Sequence, residues 1–343
     1  MIILAGILLI TWVGCKKDPS FDTPASPVDT INFVVPQGWP QPIYSFTNNP
    51  LTQEGFQLGR RLFYETMLSR DNTISCASCH QQFAAFSHLD HPVSHGIDGL
   101  LGTRNAPALF NLAWHRAFMW DGGINHLESQ PISPIQNRVE MDDKIADVVE
   151  ELDADENYRS MFKAAFGSGE INSQRIFRAL ALFMGAMVSA NSRYDNFIRN
   201  GQSSGLTDQE LNGLKTFRSK CGSCHTEPLF SDFSYRNNGL KPDARFQDQG
   251  RALITQQADD IYKFKTPSLR NVALTAPYMH DGRFSSLNEV LDHYQGAKFV
   301  SPTLDIIFQS GFSLSDSEKT EIIAFLQTLS DNEFISDKRF SEP

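Results

Sequence analysis

The sequence predicts a mainly α chain built as two tandem copies of one small helical domain, and three observations predict it. Cys76-Ala77-Ser78-Cys79-His80 and Cys221-Gly222-Ser223-Cys224-His225 repeat the pattern C-x-x-C-H and use four of the five cysteines. A shift of 160 residues lays Ala106–Gly123 ungapped over Thr266–Arg283, with Pro107/Pro267, Leu109/Leu269, Asn111/Asn271, Ala113/Ala273, Met119/Met279, Asp121/Asp281 and Gly122/Gly282 coinciding and Leu127/Leu287 extending the match. Such a match around two Asp-Gly turns indicates a duplicated domain. Helix-start signals recur along the chain, while no run of alternating apolar and polar residues reads as a strand.

C-x-x-C-H is the attachment signature of c-type haem: the two thiols add to the vinyl groups of one porphyrin, and the adjacent histidine becomes the proximal iron ligand. Zinc would want its second Cys pair about 15–20 residues further on, whereas these pairs stand 145 apart. A disulfide within either pair would explain neither histidine. Cys76, Cys79 and His80, and Cys221, Cys224 and His225, are therefore expected to hold two covalent haems c, one in each of two tandem cytochrome c-like domains.

The elements follow in order. Residues 2–10 (IILAGILLI) are apolar but too short to span a bilayer comfortably, and read as the core of a signal segment over 1–15. Val13-Gly14-Cys15 resembles a lipoprotein cleavage box, which would give the fifth cysteine a lipid; the alternative is a simple cleaved or uncleaved anchor. Either way the chain is exported, since c-type haem is attached outside the bacterial inner membrane, and a membrane-anchored lipoprotein in the periplasm of a Gram-negative bacterium is expected. Residues 16–50, with seven prolines and no apolar periodicity, read as a flexible tether. The first haem domain is placed at 51–200, with Leu58, Leu62 and Phe63 before its motif and a long helix over 173–190 that turns Ile176, Leu180, Phe183, Met184 and Met187 inward. Asn200–Gly205 is the natural linker. The second domain, 201–335, opens at the capping box Thr207/Glu210 with Leu211, Leu214 and Phe217 on one face; Ser315/Glu318 opens a second helix carrying Ile322, Phe325, Leu326 and Leu329.

The copies also differ. Trp120 occupies the place taken by His280, the first half inserts a Pro-rich stretch at Ser129–Met141, and the second lengthens the segment before Thr266. Two equivalent electron carriers would not need this divergence, so the halves are expected to have different jobs. A net charge of −10 over 343 residues argues against nucleic acid and favours a basic or neutral macromolecular partner.

Arg104-Asn-Ala-Pro107, Phe118-Met-Trp-Asp-Gly122, Arg138-Val-Glu-Met141 and Leu269–His280, together with the two haem motifs, resemble the bacterial di-haem cytochrome c peroxidases and their MauG-like relatives over roughly residues 50–330. The resemblance implies a peroxidatic first haem reducing hydrogen peroxide, and a second haem that takes electrons from a small c-type cytochrome or a cupredoxin; it is compatible with a homodimer. By the same resemblance Trp120 is the bridge between the haems, Gln130 and Glu140 line the peroxide pocket, and Asn105, Thr275 and Pro277 hold a calcium ion, the last two through carbonyls. All-oxygen ligation suits that hard cation. Against these roles stand a plain core aromatic for Trp120 and a first-turn acid, in a helix starting near Asp142, for Glu140.

For the sixth ligands, His95 is closest to the position of the family's mobile distal histidine, with His88 and His91 in the same loop; the alternative is a surface histidine. His115 and His126 read as surface or supporting residues. On the second haem, the position where the typical peroxidase carries Met holds Tyr294, as in MauG-like proteins, with Met279 as the fallback ligand. The alternative leaves Tyr294 packed in a helix Leu287–Tyr294 with its hydroxyl at the surface. Three functions follow: a cytochrome c peroxidase, a MauG-like enzyme oxidising a protein partner, or a non-catalytic di-haem electron-transfer lipoprotein.

Overall fold

The computed structural model describes residues 29–343 except 90, 202–204 and 310. Each half is organised around one pair of packed helices. In the first, Gln53–Phe63 packs on Ser173–Ala186; in the second, Asp208–Lys220 packs on Asp316–Gln327. These helices run 11–14 residues, about the length at which an isolated helix is marginal in water, so their buried faces must hold them. Leu58, Leu62, Phe63, Ile176, Leu180, Phe183, Met184 and Met187 are all buried, as are Leu214, Phe217, Ile322, Phe325, Leu326 and Leu329. Thr207/Glu210 and Ser315/Glu318 form the expected capping boxes.

Each pair meets at a glycine. A Cβ on Gly59 would lie 1.9 Å from the Ala179 carbonyl oxygen, and one on Gly213 1.9 Å from that of Glu321. No side chain fits at either crossing.

The repeat persists at atomic detail. Asn111 and Asn271 sit in the left-handed region (φ 55° and 57°), which asparagine tolerates better than most residues. Their N–H groups donate to the carbonyls of Met187 and Leu329, and their Oδ1 atoms accept from the N–H groups of Ser189 and Asp331. The expected 173–190 helix accordingly stops at Ala186: Asn111 captures the backbone groups that would have continued it. One short antiparallel strand pair is present among the described residues, Tyr235–Arg236 against Phe264–Lys265.

Two expectations need correction. Residues 29–50, expected as tether, are packed. The N–H of Ile31 donates to the Leu51 carbonyl, those of Ile43 and Tyr44 to the Ala113 carbonyl, and Trp39 lies edge-on to Trp114 and 4.5 Å from the Arg270 guanidinium. The prolines punctuate an extended segment whose Ile31, Phe33, Val35 and Trp39 cover the first core; they do not free it. The signal segment, Cys15 and residues 16–28 lie outside the described residues, as do 202–204 of the linker. Secondly, the chain beyond Asp331 returns to the first half. Phe334 packs on Phe86 and Phe110, and the Tyr64 hydroxyl donates to the Phe340 carbonyl.

The halves face each other almost reciprocally. A Cβ on Gly122 would strike the Tyr235 hydroxyl at 1.8 Å, and one on Gly282 the Pro92 carbonyl oxygen at 1.9 Å; each Asp-Gly turn is thus covered by the segment following the other half's haem motif. The Asn105 N–H donates to the His280 carbonyl at 2.8 Å, and its repeat partner Lys265 donates to the carbonyl of Trp120, the repeat partner of His280, at 2.7 Å. Arg104 bridges Asp121 and, bidentately, Asp248 across the seam. The diverged pair, Trp120 and His280, therefore sits where the halves meet.

Candidate functional site

Cys76 and Cys79 stand three apart on one helical turn, Cys76–Cys79, and so share a face. The turn leads directly into His80, whose N–H donates to the Cys76 carbonyl. Ala85 and Phe86 adopt positive φ (52° and 59°) and bring the Phe86 carbonyl to 2.9 Å from His80 Nδ1. In the second half, Phe230 (φ 53°) brings its carbonyl to 3.1 Å from His225 Nδ1. A carbonyl only accepts, so each Nδ1 carries the proton and each Nε2 keeps its lone pair for a metal. Burial lowers both imidazole pKa values, His80's to about 4, so both are neutral near pH 7.

The four motif thiols are free of disulfides. Burial, with Cys79 and Cys224 adding smaller effects, pushes Cys76 and Cys221 up to about 12. Paired neutral thiols beside an Nε2-open histidine fit covalent haem at both motifs.

Glu140 lies over the first motif; near the second, Asp232 and Asp305 act on Cys224, but both are ion-paired with Arg236. The segment after His95 lies against Glu140: the Ile97 N–H donates to the Glu140 carbonyl at 2.8 Å, and a Cβ on Gly96 would come within 2.2 Å of the same oxygen. The Glu140 carboxylate is close enough to Cys76 and Cys79 to act on both thiols electrostatically. Burial raises its pKa, while an Asn137 Nδ2–H bond of 2.7 Å opposes the rise. The helix beyond it begins at Ile145, so Glu140 is not a first-turn acid. Gln130 is buried at the end of the Leu127–Ser129 turn, on the same insertion, which folds back through the Met141 N–H to the Pro134 carbonyl.

Trp120 lies at the seam instead of in either core. Its indole N–H donates to the Asn105 carbonyl at 2.9 Å. Sequence reasoning missed Lys265, whose ammonium donates to the Ala117 carbonyl at 2.8 Å and whose pKa burial lowers to about 8. Its position as the repeat partner of Asn105 was the available signal. Asn105 also donates through Nδ2 to the Pro92 carbonyl, and Thr275 and Pro277 lie on the short run leading to the His280 carbonyl that Asn105 binds. His280 itself stacks on Phe264 at 3.6 Å.

In the second half, Tyr294 lies on the helix Leu287–Gln295, stacked on Phe308. Burial pushes its hydroxyl up to about 12; an Asn238 hydrogen bond opposes this, and Cys221 and Cys224 act on it electrostatically. The ring thus faces the second motif, not solvent. Asn238 Nδ2 also donates to the Met279 sulfur at 3.6 Å, so both candidate ligands meet the same side chain. His88, His91 and His95 are gathered with ring centroids 4.7–5.2 Å apart. His115, read as a surface or supporting residue, is half-buried against Phe233 of the second half, because the second half's longer segment covers it. His126 is exposed.

Two c-type haem attachment sites on a duplicated helical fold, with a carboxylate over one motif and an indole at the seam, define a di-haem c-type redox enzyme. Residues 53–203 match the family model for di-haem cytochrome c peroxidase. The chain is 38% identical over 287 residues to the methylamine utilization protein MauG of Methylorubrum extorquens, covering 82% of this chain and 79% of that one. It is 30% identical to the cytochrome c551 peroxidase of Pseudomonas aeruginosa, covering 91% and 89%. Among solved structures, a MauG-like protein associated with microbial copper homeostasis superposes with a TM-score of 0.84 at 33% identity, covering 92% of this chain and 99% of that one. This chain belongs to the di-haem cytochrome c peroxidase family, oxidoreductases acting on peroxide.

Proposed function

We propose that the chain reduces hydrogen peroxide to two waters in its first half, consuming two protons and two electrons. The electrons arrive singly, through the second half, from a small c-type cytochrome or a cupredoxin. Bound at Cys76, Cys79 and His80 and at Cys221, Cys224 and His225, two haems supply the redox-active iron. Glu140 takes the proton from one peroxide oxygen and returns it to the other, making water the leaving group; Gln130 orients the substrate by hydrogen bonding. Trp120, hydrogen-bonded to Asn105 on one side and Lys265 on the other, is the side chain through which electrons cross the seam. The observation that carries this reading is the placement of a half-buried carboxylate beside Cys76 and Cys79, on an insertion found only in the first half. A non-catalytic carrier has no use for it. Steady-state turnover with peroxide and reduced cytochrome c, repeated on Glu140→Gln, tests the reading.

A MauG-like oxidation of a protein partner is the second reading, favoured by Tyr294 facing Cys221 and Cys224. A phenolate ligand favours ferric and higher iron states, where a thioether such as Met279 favours ferrous iron. His95 is proposed as the residue able to close the first iron's sixth position. Calcium is proposed at Asn105, Thr275 and Pro277, where it would fix the two halves relative to each other. We assign the protein to the periplasm, anchored through a lipidated Cys15, on the strength of the segment Met1–Cys15 and the haem chemistry; a homodimer is compatible with this assignment.

A further inference from the structure

We propose that His88, His91 and His95 form a binding site for a divalent transition metal of the zinc and copper(II) type, separate from the two haem-attachment motifs and from the calcium position and competing with the first iron for His95. One ligand nitrogen from each imidazole can be chosen so that all three lie within 4.8 Å of one another. Tetrahedral zinc, with about 2.0–2.1 Å to each nitrogen, needs them roughly 3.4 Å apart. Binding such an ion requires the three rings to rotate and close that gap. Three imidazole nitrogen donors with no carboxylate among them suit zinc, copper or nickel and disfavour calcium or magnesium.

The three residues divide the work. His88 is buried and fixes the inner wall, His95 is half-buried, and His91 is exposed, leaving an entry path and room for a water as fourth ligand. The backbone around them is already held. The Pro92 carbonyl accepts from Asn105 Nδ2 and abuts Gly282 of the second half, the Ser94 N–H donates to the Arg104 carbonyl, and the Gly96 N–H donates to the Leu100 carbonyl. A metal here bears on the peroxide pocket. Ile97, two residues beyond His95, holds the Glu140 backbone through its N–H. A bound ion therefore fixes the strand of loop against which Glu140 rests, and it occupies the His95 imidazole so that this ring cannot also reach the first iron.

The test uses the holoprotein with both haems, stripped by chelation and then saturated with calcium. Calorimetric titration with Zn2+ should show one ion per chain. His88→Gln, His91→Gln and His95→Gln should each weaken it about tenfold or more, at least what loss of a merely supporting partner costs a metal site. His91 is exposed, so its variant keeps the test decisive if the buried His88 variant fails to fold. Cu2+ bound in place of zinc should show imidazole nitrogen superhyperfine splitting in its electron paramagnetic resonance spectrum. No saturable zinc in the wild-type holoprotein, equal affinity in His91→Gln, or a Cu2+ signal without imidazole nitrogen would overturn the site.

Discussion

Replacing Glu140 by glutamine removes the proposed proton acceptor while keeping nearly the same shape. The carbonyl oxygen of the introduced amide can still take the Asn137 Nδ2–H bond that Glu140 accepts at 2.7 Å. The structural penalty is thus the difference between a charged and a neutral hydrogen bond, about 1 kcal/mol. Loss of a positioned acid–base group costs roughly 10²–10⁴ in rate, or about 2.7–5.5 kcal/mol at 1.36 kcal/mol per decade. The catalytic effect should therefore dominate: peroxide turnover falls by that factor while both haem spectra stay close to wild type.

The pH profile adds an independent reading. Glu140 must be ionised to accept a proton, and burial raises its pKa, so kcat/KM should fall as pH drops through that raised pKa. Glutamine abolishes this acidic limb. Asn137→Ala removes a bond that lowers the pKa and should move the limb to higher pH, sparing the plateau at alkaline pH. Turnover of Glu140→Gln within twofold of wild type, or an acidic limb that survives the substitution, would refute the assignment.

Three further outcomes are expected. Tyr294→Phe should change the absorption spectrum of the second haem and leave the first alone, whereas Met279→Leu should not; the reverse pattern makes Met279 the ligand and returns the protein to typical peroxidase chemistry. Prolonged calcium chelation should depress turnover and added Ca2+ restore it; indifference to chelation, with no calcium found by metal analysis, would remove the site at Asn105, Thr275 and Pro277. Asp195→Asn should cost about 3–5 kcal/mol in chemical denaturation, because it strands an Arg270 guanidinium that has no exposed surface and is bound bidentately at 2.8 Å; a loss below 1 kcal/mol would mean the buried pair contributes little.

Whatever depends on neighbours along the chain was legible in the amino-acid order. Thr207/Glu210 and Ser315/Glu318 announce helix starts because the cap and its acid sit three residues apart. Cys76–His80 and Cys221–His225 announce haem because one helical turn presents all three groups together. The 160-residue repeat announced a duplicated fold, and its two lapses, Trp120 for His280 and the Ser129–Met141 insertion, marked the seam and the acid. Features that require partners distant in sequence emerged only on folding. Proline-rich 29–50 looked free, yet Trp39 finds Trp114 and Arg270; the chain end looked like part of the second half, yet Phe334 and Phe340 complete the first core. The contacts of Lys265 and Asp248 across the seam were invisible for the same reason. A buried charge has no local pattern, and its meaning is set by what the other half of the molecule brings against it.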